Sequence, residues 1–455
     1  MTPHTHTPHQ PGPHPTDPPG TAPSDPAQPA AALPGARTAA PAGSGPGGAG
    51  ETAEAAAVAP EASTAGPPSS SGPGGAGGPG VLVSRIADAL GSAPVGLAHG
   101  DGWIRATFAP RLGGPVPLTV DVVADTARLP RAIAYLLPGG GLNFAAGFFT
   151  PPDRNLAHHL RARGRLVVGV TPREDAARAA DITADWGLAA HRRDLRRVVR
   201  ALDPVLRLPY EYLGHSAGGA LALDTAAGDD SPRLRRVVVL DTTGPYTGEL
   251  AARAALTRDL YLARLRQGGY AADPGLAALV GRAVADPAGP SPAPRPPDPA
   301  TRFTNAALAH FALTRTALLP GPANWIYVRG HSAGEFAFGP TPAEDRAALT
   351  HTPLAAWHAA TSALGSGLVP TALMRDLAAV WAGDEGTYRI AWDRIRAEVV
   401  WVNTELGRGD QPRGADLIRA AGNPRVTFTV IPGHGHADPL LSPTAAPAAW
   451  PLLTP

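Results

Sequence analysis

The pentapeptide Gly-His-Ser-Ala-Gly occurs twice in this chain, at 214–218 and at 330–334. A serine in the pattern G-x-S-x-G suits a nucleophile held on a sharp strand-to-helix turn. Such a turn puts the serine backbone in a strained region, so the flanking positions must be small. A serine hydroxyl is a weak nucleophile unless a base takes its proton and an acid orients that base. Acyl chemistry also needs N–H donors aimed at the oxygen that becomes negative.

The surroundings of the first copy offer each of these parts. Ser216 follows the apolar run Tyr210–Leu213 and leads into AGGALALDTAA, a helical pattern with small residues at its start. The N-terminus of that helix brings amide N–H groups and a positive dipole end to the serine. The amide of Ala217 is the first expected oxyanion donor. A glycine-rich turn, Pro138 to Asn143, follows the run Ala132–Leu137, and the amides of Gly140 and Gly141 are the expected partners. Downstream, NTELGRGD follows Val399–Val402 with Glu405 and Asp410, and PGHGHAD follows Val426–Ile431 with His434 and His436. The expected reacting set is Ser216, Asp410 and His436, with Glu405 as an alternative acid and His434 as the alternative base.

The second copy follows the apolar run Trp325–Val328 but continues as Glu335–Pro340, with another proline at Pro342. That continuation cannot make the long helix a nucleophile turn requires. Ser332 is therefore expected in a loop. The string GHSAGE at 330–335 superficially suggests an acyltransferase of the polyketide type, which needs the same helix and fails with it.

The elements that would position these residues are legible from Val81 onward. Candidate strands are Trp103–Phe108, Val116–Val123, Ala132–Leu137, Leu166–Val170, Tyr210–Leu213, Val237–Leu240, Val399–Val402 and Val426–Ile431. Several are continuous apolar runs, as expected of parallel strands covered on both faces. Helical patterns at Asn155–Arg163 and Leu188–Leu202 alternate with them, which predicts an α/β fold with a mainly parallel sheet. After Tyr246 the pattern is mostly helical until about Ile395, with a Pro-rich interruption from Asp286 to Pro299. Residues 246–395 read as a helical lid inserted into a core made of 81–245 and 396–455. Residues 1–80 hold no aromatic residue and only Met1, Leu33 and Val58 as large aliphatics, so a disordered Pro/Gly/Ala-rich tail is expected there.

This arrangement resembles the α/β-hydrolase fold over about 82–245 and 396–455. The glycine-rich turn, the G-x-S-x-G turn, the insertion, the carboxylate loop and the histidine loop follow the third, fifth, sixth, seventh and eighth strands of that fold. The resemblance implies an eight-stranded sheet and a serine that attacks an acyl carbonyl, with water releasing the acyl-enzyme. It also implies that the histidine ends a G-x-x-G-H-like loop, which favours His436. Some members carry the acid after the sixth strand, where this chain has Asp241, a further alternative that otherwise reads as a turn cap. Pro138 stands where a histidine commonly precedes the glycines. A serine at position 216, where epoxide- and halide-processing members carry aspartate, points away from those reactions. The expected activity is hydrolysis of an ester, thioester or lactone of a fairly large hydrophobic small molecule. Tyr261, Phe303, Phe311, Trp325, Trp357 and Trp381 would supply its pocket. Acyl transfer or cyclisation by the same residues, and a non-catalytic binding relative, are the alternatives.

Composition narrows the rest. The chain has 455 residues, net charge +1 and no cysteine, so disulfides, thiolate metal sites and a cysteine nucleophile are excluded. Near-neutral charge removes the electrostatic case for nucleic acid or an anionic membrane as partner. The N-terminus has neither the basic nor the apolar region of a secretory signal. No stretch approaches the roughly 18 apolar residues of a membrane span. A cytoplasmic protein without cofactor or metal is expected.

Overall fold

A continuous apolar strand puts apolar side chains on both faces and must be covered on both sides, and the chain builds one large sheet on that basis. The computed structural model describes residues 78–454. Its central sheet has nine strands: β1 (Pro94–Gly100), β2 (Trp103–Phe108), β3 (Thr119–Asp125), β4 (Ala132–Leu137), β5 (Arg165–Thr171), β6 (Tyr210–His215), β7 (Leu234–Leu240), β8 (Glu398–Thr404) and β9 (Val426–Ile431). The spatial order is β1-β2-β3-β5-β4-β6-β7-β8-β9. The pairs β1/β2, β2/β3 and β3/β5 are antiparallel, and every pair from β5 to β9 is parallel. Along β4 the side chains of Ile133, Tyr135 and Leu137 enter one hydrophobic cluster and those of Ala134 and Leu136 enter another, one on each face of the sheet. The helix Leu188–Leu206 covers the first face with Leu188, Leu195, Val198, Val199 and Leu202.

Two strands differ from expectation for local reasons. The run expected from Val116 begins pairing at Thr119, because Pro117 cannot donate to a ladder. β1 was not expected at all: six of its seven residues are exposed, so it carries no apolar alternation and is held as the outer arm of a hairpin. It makes the sheet nine-stranded rather than eight-stranded. The tail expected over 1–80 lies, up to residue 77, outside the described residues, and Pro79–Leu90 forms a helix.

Between β7 and β8 the chain forms the helices Gly248–Arg266, Leu276–Ala285, Asn305–Thr314, Leu354–Ser362 and Thr371–Ala382. It also forms strand pairs that were not expected. The Pro-rich run becomes a hairpin of Pro290–Arg295 with Asp298–Thr304, and Gly334–Ala337 pairs with Arg346–Leu349. Proline is tolerated there because each ladder has only two strands and so only edges. Polar contacts tie this segment to the carboxyl ends of the sheet strands. Asn143 Nδ2 donates to Ala363 O (2.7 Å), the amide of Gly365 donates to Asp175 (2.9 Å), and the amide of Leu188 donates to Asp376 (2.8 Å). Among the described residues no helix is long and apolar enough to cross a membrane.

Candidate active site

β6 runs directly into Ser216, which heads the buried helix Ala217–Ala226. The serine has φ 56° and ψ −119°, a left-handed conformation that costs an L-residue about 1–3 kcal/mol. The surrounding backbone holds it there. The Ser216 amide donates to Leu240 O at the end of β7 (2.9 Å). A Cβ on Gly214 would lie 2.0 Å from Gly218 O, and one on Gly218 would lie 2.1 Å from Leu137 O. Both glycines of the motif are thus demanded by backbone approach. The glycine-rich turn meets the serine from β4: a Cβ on Gly139 would lie 3.2 Å from Ser216 Cβ, and one on Gly140 would lie 3.9 Å from Ala217 Cβ. The Ala217 amide has no intrahelical acceptor, since it opens the helix. Gly141 lies against the insertion, where a Cβ would be 3.0 Å from Val369 Cγ2 and 3.1 Å from Gly367 O.

On the other side of Ser216, Nδ1 of His436 is hydrogen-bonded to Oδ2 of Asp241. Asp241 follows β7 directly and is fully buried. Its Oδ1 accepts the amides of Thr404 (2.6 Å) and Arg408 (3.2 Å), so the loop after β8 closes around the carboxylate. The three residues expected to react are therefore not brought together as a set. His436 meets Asp241, whereas Asp410 is exposed at the end of the loop. The reason is the loop's own turn. Asn403 Nδ2 donates to Gly409 O (2.9 Å) and the Gly409 amide to Thr404 O (2.8 Å). These bonds fold the loop's amides toward Asp241 and carry Asp410 outward. Glu405 is also exposed and accepts the Gly433 amide (2.6 Å). His434 bonds Pro432 O through Nδ1 (2.8 Å) and stacks on His351 at 4.1 Å, away from Asp241. The signal for Asp241 was available: a carboxylate that ends the buried run VVVL must be paired.

Several further residues surround His436. The His215 ring lies 4.4 Å from it, and His215 Nε2 donates to His436 O (3.0 Å). The rings of Tyr327 and His331 lie 5.0 and 5.6 Å away. Arg408 is 4 % exposed. Its guanidinium sits 4.6 Å from the Tyr327 ring and 5.8 Å from the Trp381 ring, and Nη2 donates to Ser216 Oγ at 3.4 Å. Sequence reasoning searched NTELGRGD for carboxylates and passed over this arginine.

These surroundings keep the histidines neutral. Burial, then the Arg408 charge and then the nearby His331 ring, push His436 well below its usual 6.5. Burial and then His436 push His215 down to about 3, and burial and then Arg408 push His331 down to about 4. Burial raises the Asp241 carboxyl, and Arg408 opposes that rise. With Nδ1–H of His436 donated to Asp241, Nε2 carries the lone pair and can accept a proton. Among the described residues no group of three or more His, Cys, Asp or Glu could hold a metal ion.

The second pentapeptide holds the histidine loop. The His436 and Ala437 amides donate to Gly330 O (3.1 Å) and His331 O (2.8 Å). A Cβ on Gly435 would lie 2.6 Å from the Ser332 backbone, so the two segments touch main chain to main chain. Asp438 accepts the amides of both Ala333 (2.8 Å) and Gly435 (2.7 Å), which joins them again. Ser332 itself is buried, with Oγ accepting the Trp357 indole N–H at 2.9 Å, and a strand rather than a helix follows it.

The six aromatics expected to share a pocket are dispersed. Trp381 faces Arg408, and Trp357 lies 6.1 Å from His331. Phe303 and Phe311 form a separate core with Phe336, Trp325 packs on Tyr246 at 5.6 Å, and Tyr261 joins the main core.

No family model matches the sequence, and no curated protein does. Solved structures do resemble it. A lipase candidate from Sulfolobus solfataricus matches with TM-score 0.53 and 15 % identity, over 79 % of this chain and 95 % of its own. A thermostable carboxyl esterase from Bacillus coagulans matches with TM-score 0.39 and 12 % identity, over 73 % and 91 %. The thioesterase domain of the curacin biosynthetic pathway matches with TM-score 0.37 and 14 % identity, over 75 % and 96 %.

Proposed function

The chain has the α/β-hydrolase fold, and from that premise we propose that it is a serine hydrolase cleaving an ester, thioester or lactone of a hydrophobic small molecule. Ser216 is the nucleophile, His436 the base and Asp241 the acid. The observation that carries this reading is the buried His436–Asp241 bond beside a serine held at φ 56°. Backbone strain of this kind persists only where the surroundings impose it, and it exposes the hydroxyl ahead of the helix.

Ser216 Oγ faces Arg408 at rest. Attack requires Oγ to leave that contact and turn to His436 Nε2, which a rotation about χ1 to another staggered position would supply. Oγ then attacks the acyl carbon as Nε2 takes its proton, and Asp241 stabilises the resulting imidazolium. The carbonyl oxygen becomes an oxyanion and accepts N–H bonds from Ala217 and from Gly140 in the glycine-rich turn. The amide of Gly141, in the same turn, is the alternative to that of Gly140. His436 returns its proton to the leaving group. Water, activated by the same imidazole, then releases the acid. Residues 246–395 act as a lid, because their segment around Gly367 and Val369 roofs the glycine-rich turn and would exclude bulk water.

The test is a series of p-nitrophenyl esters of graded acyl length with wild type and Ser216→Ala. The reading expects turnover that rises with acyl length and a loss of at least about 10³-fold in the variant. Wild-type rates from Ser216→Ala would overturn it.

A further inference from the structure

Arg408 is more than the loop needs. Its backbone amide already binds Asp241, and the space between Tyr327 and Trp381 would suit an apolar side chain. Instead it holds a guanidinium that is 4 % exposed. Among the described residues the guanidinium makes two hydrogen bonds, Nε to Asp241 O and Nη2 to Ser216 Oγ, both at 3.4 Å and so at the long limit of useful geometry. Nη1 is buried and has no hydrogen-bond partner among the described residues. None of these contacts is to a carboxylate. Two aromatic faces soften the burial of the cation, and the nearby Asp241 carboxylate offsets its charge, but that carboxylate's hydrogen bonds go to His436 and two amides and none to the guanidinium.

We propose that Arg408 binds a carboxylate carried by the substrate within a few bonds of its scissile carbonyl. The guanidinium presents a planar fork that matches a carboxylate's two oxygens, and here one arm is idle while the other touches the nucleophile. An oxygen bonded to Nη1 or Nη2 therefore lies next to the atom that attacks. The amides of Ala217 and Gly140 are already placed for the oxyanion, which leaves the arginine to read a second group. The neighbouring His215 and His331 are held neutral, partly by Arg408 itself, so they do not compete for the anion.

This inference rests on Ser216 as nucleophile, and the test separates the two. Matched ester pairs are compared by kcat/KM: p-nitrophenyl hemisuccinate with p-nitrophenyl pentanoate, and the butyryl ester of glycolate with ethyl butyrate. The first pair puts the carboxylate on the acyl side, the second on the leaving side. Wild type should prefer the charged member at least 10-fold in one pair. Arg408→Gln should erase that preference, and Arg408→Lys should restore part of it as a point charge. No preference in either wild-type pair overturns the proposal without any variant having to fold. A preference that survives in folded Arg408→Gln overturns it too. Failure of Ser216 as nucleophile would look different, since Ser216→Ala would then hydrolyse the members of both pairs at wild-type rates.

Discussion

Replacing Asp241 by asparagine keeps the size of the side chain but removes its charge and turns one acceptor oxygen into a donor. The asparagine carbonyl oxygen can still accept the amides of Thr404 and Arg408, so the loop after β8 keeps its anchor. Its NH₂ group then faces Nδ1 of His436, which must become an acceptor. The ring proton moves to Nε2, the atom that has to take the serine proton. The variant also lacks the charge that stabilises the imidazolium. The same exchange in a serine-protease triad lowers kcat by roughly 10⁴, which at about 1.36 kcal/mol per decade is about 5.5 kcal/mol of transition-state stabilisation. Asp241→Asn should therefore lose on the order of 10⁴ in kcat with little change in KM. Asp410→Asn, at an exposed position, should stay within about ±0.5 kcal/mol of wild-type stability and near wild-type turnover. The assay is steady-state hydrolysis of a p-nitrophenyl ester, with thermal melts by circular dichroism to confirm folding. A folded Asp241→Asn within tenfold of wild type, or an equal loss in Asp410→Asn, would refute the assignment.

Further outcomes follow from the same geometry. Ser332→Ala leaves the Trp357 indole N–H without an acceptor, at about 1–3 kcal/mol; its melting temperature should fall while kcat/KM drops less than tenfold, and a loss like that of Ser216→Ala would contradict a purely structural role for Ser332. Gly435→Ala would press a methyl into the Ser332 backbone at 2.6 Å; it should displace the histidine loop and lower kcat/KM at least tenfold, and unchanged kinetics would show the contact to be dispensable. His436 must be neutral to accept a proton, and burial with Arg408 and His331 holds it below 6.5. The kcat/KM profile should therefore be flat above about pH 6.5 and fall only at more acidic pH. Arg408→Gln removes a charge that opposes protonation, so its acidic limb should move to higher pH; a shift to lower pH would contradict the placement of the cation.

The parts of the site carried by local pattern were legible. The continuous runs Ala132–Leu137 and Val426–Ile431 are strands at the stated bounds, and Ser216 joins a strand to a helix as its small neighbours imply. The acid was not decided locally, because Asp410 and Asp241 both follow strands. What separates them is the direction of the loop after β8, set by the Asn403–Gly409 bonds and by Asp241 reaching that loop from β7. Arg408 was invisible for a related reason: a charged loop residue is ordinarily solvated, and only the packing of Tyr327 and Trp381 buries this one. The missing helix after Ser332 could be read from Glu335–Pro342, but the grip on His436 joins segments about a hundred residues apart.

The central claim is that Ser216, and not Ser332, is the nucleophile. Fluorophosphonate labelling followed by tryptic mapping addresses it directly, because the two serines fall in different peptides, 208–233 and 330–346. The account predicts the adduct on Ser216 in the first peptide, its loss in Ser216→Ala and its persistence in Ser332→Ala. An adduct on Ser332, or none on folded wild-type protein that turns over esters, would contradict it.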